Sequence, residues 1–275
     1  MIDLARARDV AVAAAEEAGA ALAPGARFAA WAKGVDDVVT DLDHRAEQII
    51  LGRLRDAYPG HAVLAEESGR SGGPAEDAAA LWIVDPLDGT HNLTIGLPAY
   101  SVGIALCLDG APAVGVIHDP ITRRTWSAVR GDGPRGPGGT PLAPGPARSG
   151  TAPIVSYVQG YPVGRTDPTA LAYKYLLGAR ARRLLQLWSP QLTWVMLAQG
   201  LIDAVIGYRT GLVDLPAGAL IATEAGVVLT ALDGGPFELS VADDEHSFIA
   251  ARPEAVASLV ELLETASALD LPPLS

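Results

Sequence analysis

The chain carries two aspartates, Asp85 and Asp88, directly after a short apolar run at 81–84. A buried strand ending at Asp85 would carry that carboxylate to the edge of a sheet, and the turn fixed by Pro86 would return Asp88 to the same side. The carbonyl of Leu87 lies between them, so three oxygen atoms can converge within four residues. Oxygen-only ligation is typical of sites for hard cations such as Mg²⁺.

The backbone after Asp88 could also contact a ligand. Gly89 permits a close approach, and the N–H groups that follow Asp88 could open a helix whose positive end accepts a phosphate. A structural alternative stays open, in which Asp88 only caps that helix and Asp85 only makes an Asx-turn.

Other carboxylates bear on the choice between these interpretations. Glu66-Glu67-Ser68 closes the preceding predicted strand, and Asp214 comes just before a predicted helix. Carboxylates at the ends of several elements favour a cation site over isolated caps. Each also has an ordinary structural alternative: a solvated strand end for the two glutamates, a helix N-cap for Asp214, and a capping box for Asp43.

Periodicity and turn chemistry predict the elements that must position these residues. An Ala-rich helix is predicted at about 3–22. Thr40-Asp41-Leu42-Asp43 has the form of a capping box and predicts a second helix from near Thr40, which Pro59-Gly60 ends. Short apolar runs predict a large, mostly antiparallel sheet in the first half. Its strands are predicted at 61–65, 81–84, 101–108, 113–118 and 125–129.

A segment rich in glycine and proline divides the chain. Between 131 and 153, 13 of 23 residues are Gly or Pro, which predicts no regular element and a domain boundary. We predict an N-terminal α+β domain, 1–145, with the large sheet and most metal ligands, and a C-terminal α/β domain, 146–275, with Asp214 and the substrate pocket. The second domain has predicted strands at 154–158, 202–206, 227–232 and 247–250, and predicted helices at 168–177, 190–199, 215–225 and from Pro253.

Composition and charge exclude several classes of protein. The formal net charge of −12 repels polyanions, so we expect no nucleic-acid partner. The single cysteine, Cys107, excludes an internal disulfide scaffold and a thiolate zinc cluster. The sequence contains neither an apolar leader nor an apolar stretch of ~18 residues, so we expect no membrane association and predict a cytoplasmic protein.

Two short motif matches do not carry function. Residues 131–136 spell G-x-G-x-x-G, but Pro134 and the Gly/Pro run behind it forbid the helix that would hold a pyrophosphate. Residues 69–73 spell G-x-S-x-G, but acidic residues precede them instead of the buried apolar strand of a nucleophile elbow. We interpret this second segment as a mobile Gly/Ser loop.

Taken together, the motifs resemble the inositol monophosphatase family of Mg²⁺-dependent, lithium-sensitive phosphomonoesterases. The resemblance covers nearly the whole chain and implies a layered αβαβα sandwich, an α/β (α+β) fold of the inositol monophosphatase and fructose-1,6-bisphosphatase type. It is carried by Lys33 with 37–43, Glu66-Glu67-Ser68, Asp85-Pro86-Leu87-Asp88-Gly89-Thr90, 115–120, Asp214 with Ala217-Gly218, and 223–226 leading to 234–237.

The resemblance implies a role for each matching residue. It implies two or three bound Mg²⁺ ions, with Glu66, Asp85, the Leu87 carbonyl, Asp88 and Asp214 as their ligands. The catalytic groups implied around the attacking water are Glu66, Thr90, Asp43 and, through the metal–water network, Lys33. The backbone N–H groups of Gly89 and Thr90 are implied to hold the phosphate.

The second half departs from the family pattern on the substrate side. Gly207 stands where inositol-specific members carry a glutamate, and Trp188-Ser189-Pro190 stands where a small Gly-Ser/Thr-Ala element is usual. Gly160-Tyr161-Pro162 resembles the Gly-Phe-Pro turn of bacterial members. We predict that Asp88, Tyr161, Trp188, Ser189 and Gly207 bind the substrate. The structural alternative is that Trp188 turns inward as part of the core.

These observations predict a Mg²⁺-dependent phosphomonoesterase, as a homodimer, that hydrolyses a small phosphorylated polyol. A cyclitol or sugar phosphate other than myo-inositol phosphate is favoured. Histidinol phosphate, fructose 1,6-bisphosphate and 3′-phosphoadenosine 5′-phosphate are the alternative substrates. An alternative of another class is a non-catalytic subunit that binds phosphorylated metabolites.

Overall fold

The computed structural model describes residues 2–34, 37–73, 80–143, 145 and 152–269. Two helices open the chain: α1 at Leu4–Ala21 and α2 at Asp41–Ala57. The predicted capping box is confirmed, because the Asp43 carboxylate accepts a hydrogen bond from the Thr40 backbone and the Thr40 hydroxyl accepts one from the backbone of Leu42. An antiparallel hairpin, β1 at Ala30–Gly34 and β2 at Asp37–Thr40, joins the two helices.

A seven-stranded sheet with the order β4-β3-β5-β6-β7-β8-β9 follows. Only the β3–β5 pair is parallel among these described strands, which confirms the predicted antiparallel character. The strands are β3 at Ala62–Ala65, β4 at Gly69–Ser71, β5 at Ala80–Asp88, β6 at Ser101–Leu108, β7 at Ala111–Asp119, β8 at Arg124–Val129 and β9 at Pro134–Arg135. The short helix α3, Thr90–Thr94, lies between β5 and β6.

Two predictions for this half were wrong. The segment interpreted as a mobile Gly/Ser loop contains β4, which pairs antiparallel with β3 at the edge of the sheet. The Gly/Pro-rich segment contains β9 and a single 3₁₀ turn at Pro137–Gly139. Both are very short edge elements, where proline and glycine are tolerated because few ladder hydrogen bonds are required.

The second half builds a five-stranded sheet with the order β11-β10-β12-β14-β13. Its strands are β10 at Ile154–Gln159, β11 at Arg183–Leu185, β12 at Ala204–Gly211, β13 at Val228–Thr230 and β14 at Glu245–Ala251. Its helices are α4 at Pro168–Arg180, α5 at Pro190–Ala198, α6 at Pro216–Glu224 and α7 at Pro253–Glu264. The sequence missed β11 and otherwise predicted the alternation of strands and helices.

Three buried clusters define five layers. The helices α1 and α2 cover one face of the large sheet, α5 and α6 lie between the two sheets, and α4 and α7 cover the outer face of the small sheet. On β5, Trp82 and Val84 face the cluster under α1 and α2, whereas Leu81 and Ile83 face the cluster between the two sheets. A strand buried on both faces reads as a continuous apolar run. The predicted αβαβα sandwich is therefore confirmed.

The two halves share a core across the middle layer. A Cβ added at Gly115 of β7 would lie 2.6 Å from the carbonyl oxygen of Ala217, so the glycine allows α6 to pack directly on the large sheet. The described strands of the large sheet end with β9, inside the Gly/Pro-rich segment, and those of the small sheet follow that segment. The division at 145/146 remains a prediction. Within the described ranges, none of the helices combines the length and apolar character needed to span a membrane.

Candidate active site

A break in strand register brings Asp85 and Asp88 to the same side. In a regular strand, residues three positions apart point to opposite faces. The β5–β6 pairing shifts register between Asp85 and Asp88, and the backbone N–H of Leu87 donates to Asp85 Oδ1 at 3.1 Å. This bulge supplies the extra residue that turns both side chains together. Both aspartates are buried, and the Asx-turn at Asp85, which belonged to the structural alternative, is present.

Asp214 completes a cluster of three carboxylates. One oxygen each from Asp85, Asp88 and Asp214 lies within 4.8 Å of the others. Asp214 precedes α6, but the helix N-cap is Leu215 and no side chain caps the helix. The alternative in which Asp214 is an N-cap is therefore wrong, and its carboxylate faces the cluster instead.

The three carboxylates oppose one another electrostatically. Burial and then the charges of Glu66, Asp88 and Asp214 raise the pKa of Asp85 well above its ordinary value. Burial and the charges of Asp88 and Glu66 do the same to the pKa of Asp214. Burial raises the pKa of Asp88 to about 7, although hydrogen bonds oppose the shift. A buried set of oxygen ligands with excess negative charge fits a divalent hard cation.

Asp88 is held by residues from both halves of the chain. Its Oδ2 accepts hydrogen bonds from Ser101 Oγ at 3.0 Å, Ser189 Oγ at 2.7 Å and the backbone N–H of Gln191 at 2.9 Å. The N-cap of α3 is Gly89, without a side-chain cap, so the alternative in which Asp88 caps the helix that follows it is wrong. Asp88 instead satisfies an N–H in the first turn of the distant helix α5.

Gln191 was missed by the sequence prediction. Its Nε2 donates to Asp85 Oδ2 at 2.8 Å, and its fully buried side chain packs on Gly103, where an added Cβ would lie 1.8 Å from Oε1. The Oε1 atom has no hydrogen-bond partner among the described residues. A glutamine just inside a predicted helix gave no sequence signal, because its partner lies 106 positions earlier.

The turn after β3 places Glu66 and Glu67 against Lys33. Lys33 Nζ lies 3.1 Å from Glu66 Oε1 and 2.8 Å from Glu67 Oε1. Burial acts to lower the pKa of Lys33, but the charge of Glu66 and the contacts with Glu67 outweigh it and raise the pKa. The Glu67 side chain is only 5% exposed, so a solvated strand end is wrong for this residue.

Glu47 on α2 is a second residue that the prediction missed. It is buried, and its Oε2 accepts hydrogen bonds from the backbone N–H groups of Glu67 at 2.9 Å and Ser68 at 3.3 Å. These bonds fix the turn that carries Glu66. The signal was present in the sequence, because Glu47 lies three and four residues before Ile50 and Leu51, on the face of the helix that is buried.

Asp43 has a structural role and a site contact at once. One carboxylate oxygen closes the capping box, and the other, Oδ1, lies 2.8 Å from the Thr90 hydroxyl. The same hydroxyl lies 3.0 Å from the Leu87 carbonyl oxygen, and its single proton can go to either acceptor. Burial raises the pKa of Asp43 against the hydrogen bonds from Thr40 and Thr90. The capping box of the structural alternative is present, and Asp43 also lies next to Thr90, as the resemblance implies.

Gly89 has a backbone that only glycine adopts readily. Its φ is +98°, and an added Cβ would lie 3.0 Å from the Ala99 carbonyl oxygen and 3.2 Å from Ser189 Cβ. Conformation and space both require glycine at this position, directly after Asp88.

The predicted substrate residues fall into different environments. Tyr161 is exposed as a residue, and burial of its hydroxyl and then the charges of Asp37, Asp214, Glu66 and Asp88 raise its pKa. Ser189 is buried against Asp88, as described above. Trp188 is 62% exposed, so the alternative in which it belongs to the core is wrong.

Gly207 lies away from open space. It is buried in β12, and an added Cβ would lie 2.4 Å from Cε1 of Phe248. The Phe248 ring stacks on Trp194 with centroids 5.2 Å apart, between the small sheet and α5. The space that a side chain at 207 would need is therefore filled by the core.

Comparison with solved structures gives the class of fold. The SuhB extragenic suppressor protein of Bartonella henselae superimposes with a TM-score of 0.83 at 28% identity, covering 93% of this chain and 97% of that one. The inositol monophosphatase of Anabaena (Nostoc) sp. PCC 7120 superimposes with a TM-score of 0.79 at 26% identity, covering 99% of both chains.

Sequence comparison gives the family. The Nus factor SuhB of Escherichia coli K12 is 34% identical in an alignment of 240 residues that covers 82% of this chain and 85% of that protein. The model of the inositol monophosphatase family matches residues 3–268. The chain therefore belongs to the inositol monophosphatase family, and it is a phosphoric monoester hydrolase. The family is in general Mg²⁺-dependent, and the aspartate cluster has the ligands that such an ion takes.

Proposed function

We propose that this protein hydrolyses a small phosphorylated polyol, a cyclitol or sugar phosphate other than myo-inositol phosphate, with Mg²⁺ as cofactor. The observation that carries the proposal is the convergence of Asp85, Asp88 and Asp214 beside the Thr90–Asp43 pair. Such a site has ligands for a cation and a hydroxyl that can orient water next to it.

In this proposal, Glu66, Asp85, the Leu87 carbonyl, Asp88 and Asp214 would hold two or three Mg²⁺ ions. Bound Mg²⁺ supplies an activated water and neutralises charge on the leaving oxygen.

The chain's own polar groups would orient the reactants. Thr90 accepts a hydrogen bond from the attacking water while its own proton points to Asp43 Oδ1, and Glu66 accepts a second bond from the same water. Lys33 offsets the negative charge of Glu66 and Glu67, which keeps the turn after β3 in place. The N–H groups of Gly89 and Thr90 hold the phosphate, and the positive φ of Gly89 supports this approach.

Phosphate release from a generic phosphomonoester, with Mg²⁺ or with a chelator, tests the proposal. We expect Mg²⁺-dependent turnover in the wild type and a loss of orders of magnitude in Asp88→Asn and Asp214→Asn. Asp56→Asn, an exposed aspartate on α2, is the matched control and should retain wild-type activity. Wild-type turnover in both site variants would refute the assignment. Phosphate binding without turnover would support the non-catalytic alternative.

The substrate preference rests on the surroundings of Gly207. A glutamate there would overlap Phe248, and overpacking of a core typically costs about 1–3 kcal/mol. Gly207→Glu is therefore expected to lower the melting temperature without raising kcat/KM for myo-inositol 1-phosphate. A panel of cyclitol, sugar, histidinol and nucleotide phosphates at fixed Mg²⁺ ranks the candidates. A first place for myo-inositol 1-phosphate in that panel would contradict the preference.

Three further properties belong to the same proposal. Lithium should inhibit by occupying a Mg²⁺ position, which an activity titration with LiCl measures. The protein should be a cytoplasmic homodimer, and light scattering measures its mass. The net charge of −12 supports a small phosphorylated metabolite, and not a nucleic acid, as its partner.

A further inference from the structure

Trp188 combines an exposed side chain with a strained backbone. Its side chain is 62% exposed and its φ is +56°, in the left-handed region that bulky L-residues rarely adopt. A tryptophan is usually explained by burial in a core, but this one is exposed. A positive φ usually selects glycine, so the backbone conformation does not explain a tryptophan either. Strained residues persist where the surrounding structure fixes them, often at ligand sites.

Both neighbours of Trp188 are fixed to the candidate active site. The carbonyl of Leu187 accepts a hydrogen bond from Nδ2 of the buried Asn92 at 2.7 Å, and the Ser189 hydroxyl donates to Asp88 Oδ2 at 2.7 Å. Asn92 belongs to α3 and is also bound to the Ala99 carbonyl at 2.6 Å. The backbone of Trp188 is thus held in place, one residue away from a contact with Asp88.

The imidazole of His91 lies beside the indole of Trp188. The two ring centroids are 6.4 Å apart with an interplanar angle of 61°, an edge-on arrangement. An edge-on neighbour leaves at least one face of the indole open to a ligand. Because His91 follows Gly89 and Thr90 at the start of α3, the His91–Trp188 pair lies near the proposed phosphate position.

We propose that Trp188 is a specificity-determining residue whose indole stacks on a planar ring carried by the alcohol part of the substrate. This inference rests on the phosphatase function proposed above and narrows its substrates to phosphorylated polyols or sugars that bear an aromatic or heteroaromatic ring. Aromatic stacking discriminates a flat ring from a puckered ring of equal size, because only the flat ring presents a π-face.

Two substrates of matched size and leaving group isolate this effect: 2-phenylethyl phosphate and 2-cyclohexylethyl phosphate. With saturating Mg²⁺, the wild type should show a kcat/KM ratio of about 2–12 in favour of the phenyl substrate, the range that an aromatic pair contributes. Trp188→Ala should bring the ratio close to one while turnover of glycerol 2-phosphate persists. Trp188→Phe should keep most of the preference. Tyr175→Ala removes a similarly exposed aromatic side chain, 58% exposed on α4, and should leave the ratio unchanged.

Calorimetry with the two corresponding phosphonates tests the proposed stacking on Trp188 without turnover. If the wild type releases phosphate neither from these two compounds nor from the generic phosphomonoester, but binds the phenyl phosphonate more tightly through Trp188, the phosphatase proposal fails and the stacking role of Trp188 stands. If the preference for the phenyl compound is absent, or survives in Trp188→Ala in both assays, the proposed stacking on Trp188 is refuted. A change of oligomeric mass in Trp188→Ala would also overturn it, because the indole would then be an interface residue.

Discussion

Removal of one carboxylate from the acidic cluster should stabilise the metal-free protein. One carboxylate oxygen each from Asp85, Asp88 and Asp214 lies within 4.8 Å of the others. At that distance two full charges repel by about 3.5 kcal/mol at an effective dielectric constant of ~20. Partial protonation, which the raised pKa values favour, lowers the realised repulsion. We expect metal-free Asp214→Asn to be about 1–3 kcal/mol more stable than the metal-free wild type.

Mg²⁺ should stabilise the wild type more than the variant and so offset this difference in stability. A cation at ~100 times its Kd stabilises the folded state by about 2.7 kcal/mol. For a chain of this size, 1 kcal/mol corresponds to roughly 2–4 °C in Tm. The wild type should therefore gain about 5–10 °C with Mg²⁺. Asp214→Asn should gain much less, because it lacks one ligand oxygen and the charge that attracts the ion.

Thermal denaturation in chelator and in saturating Mg²⁺ measures both effects on the same samples. Asp56→Asn, which removes an exposed charge, should follow the wild type in both conditions. A metal-free Asp214→Asn that melts below the wild type would show that the carboxylates do not repel one another. An unchanged response to Mg²⁺ in that variant would show that Asp214 is not a ligand.

Two further perturbations test residues outside the ligand set. Burial lowers the pKa of His118 despite the charges of Glu16 and Asp119. As the pH falls, the unfolded chain therefore takes up the proton before the folded protein does. The free energy of unfolding should then decrease as the pH drops below about 6.5. Urea unfolding across pH 5–7.5 should show a shallower dependence in His118→Gln than in the wild type, and equal slopes would contradict the prediction. Gly103→Ala should displace the Gln191 side chain and lower activity or Mg²⁺ affinity by ~10–100-fold, with wild-type kinetics as the contrary result.

Local chemistry was sufficient to predict one part of the site. The apolar run before Asp85, the proline after it and the second aspartate predicted two carboxylates on one side of a strand end. The structure adds the cause, a register shift that sequence periodicity does not report. The capping box at Thr40 is also local. The second carboxylate oxygen of its Asp43 contacts Thr90, which lies 47 positions later in the chain.

The remaining contacts depend on how layers meet. The bond from Gln191 to Asp85 spans 106 positions, and nothing near Gln191 in the chain announces it. The neighbourhood of Gly207 was interpreted from a family pattern as part of a pocket, but Phe248 from the adjacent strand fills the space. Such packing is set by the pairing of β12 with β14, which single-residue patterns do not specify.

Asp88 shows why the site and the layered fold form together. Its carboxylate comes from the end of β5, yet it accepts an N–H bond from Gln191 in the first turn of α5 and a bond from the N-cap residue Ser189. A negative charge is favoured at that end of a helix, because the unpaired N–H groups carry partial positive charge. Packing of α5 onto the large sheet therefore orients a proposed metal ligand, and the ligand in turn caps the helix. Substitution of Ser189 by alanine would remove one of these bonds while the Gln191 N–H could keep the other, so function should suffer before the fold does.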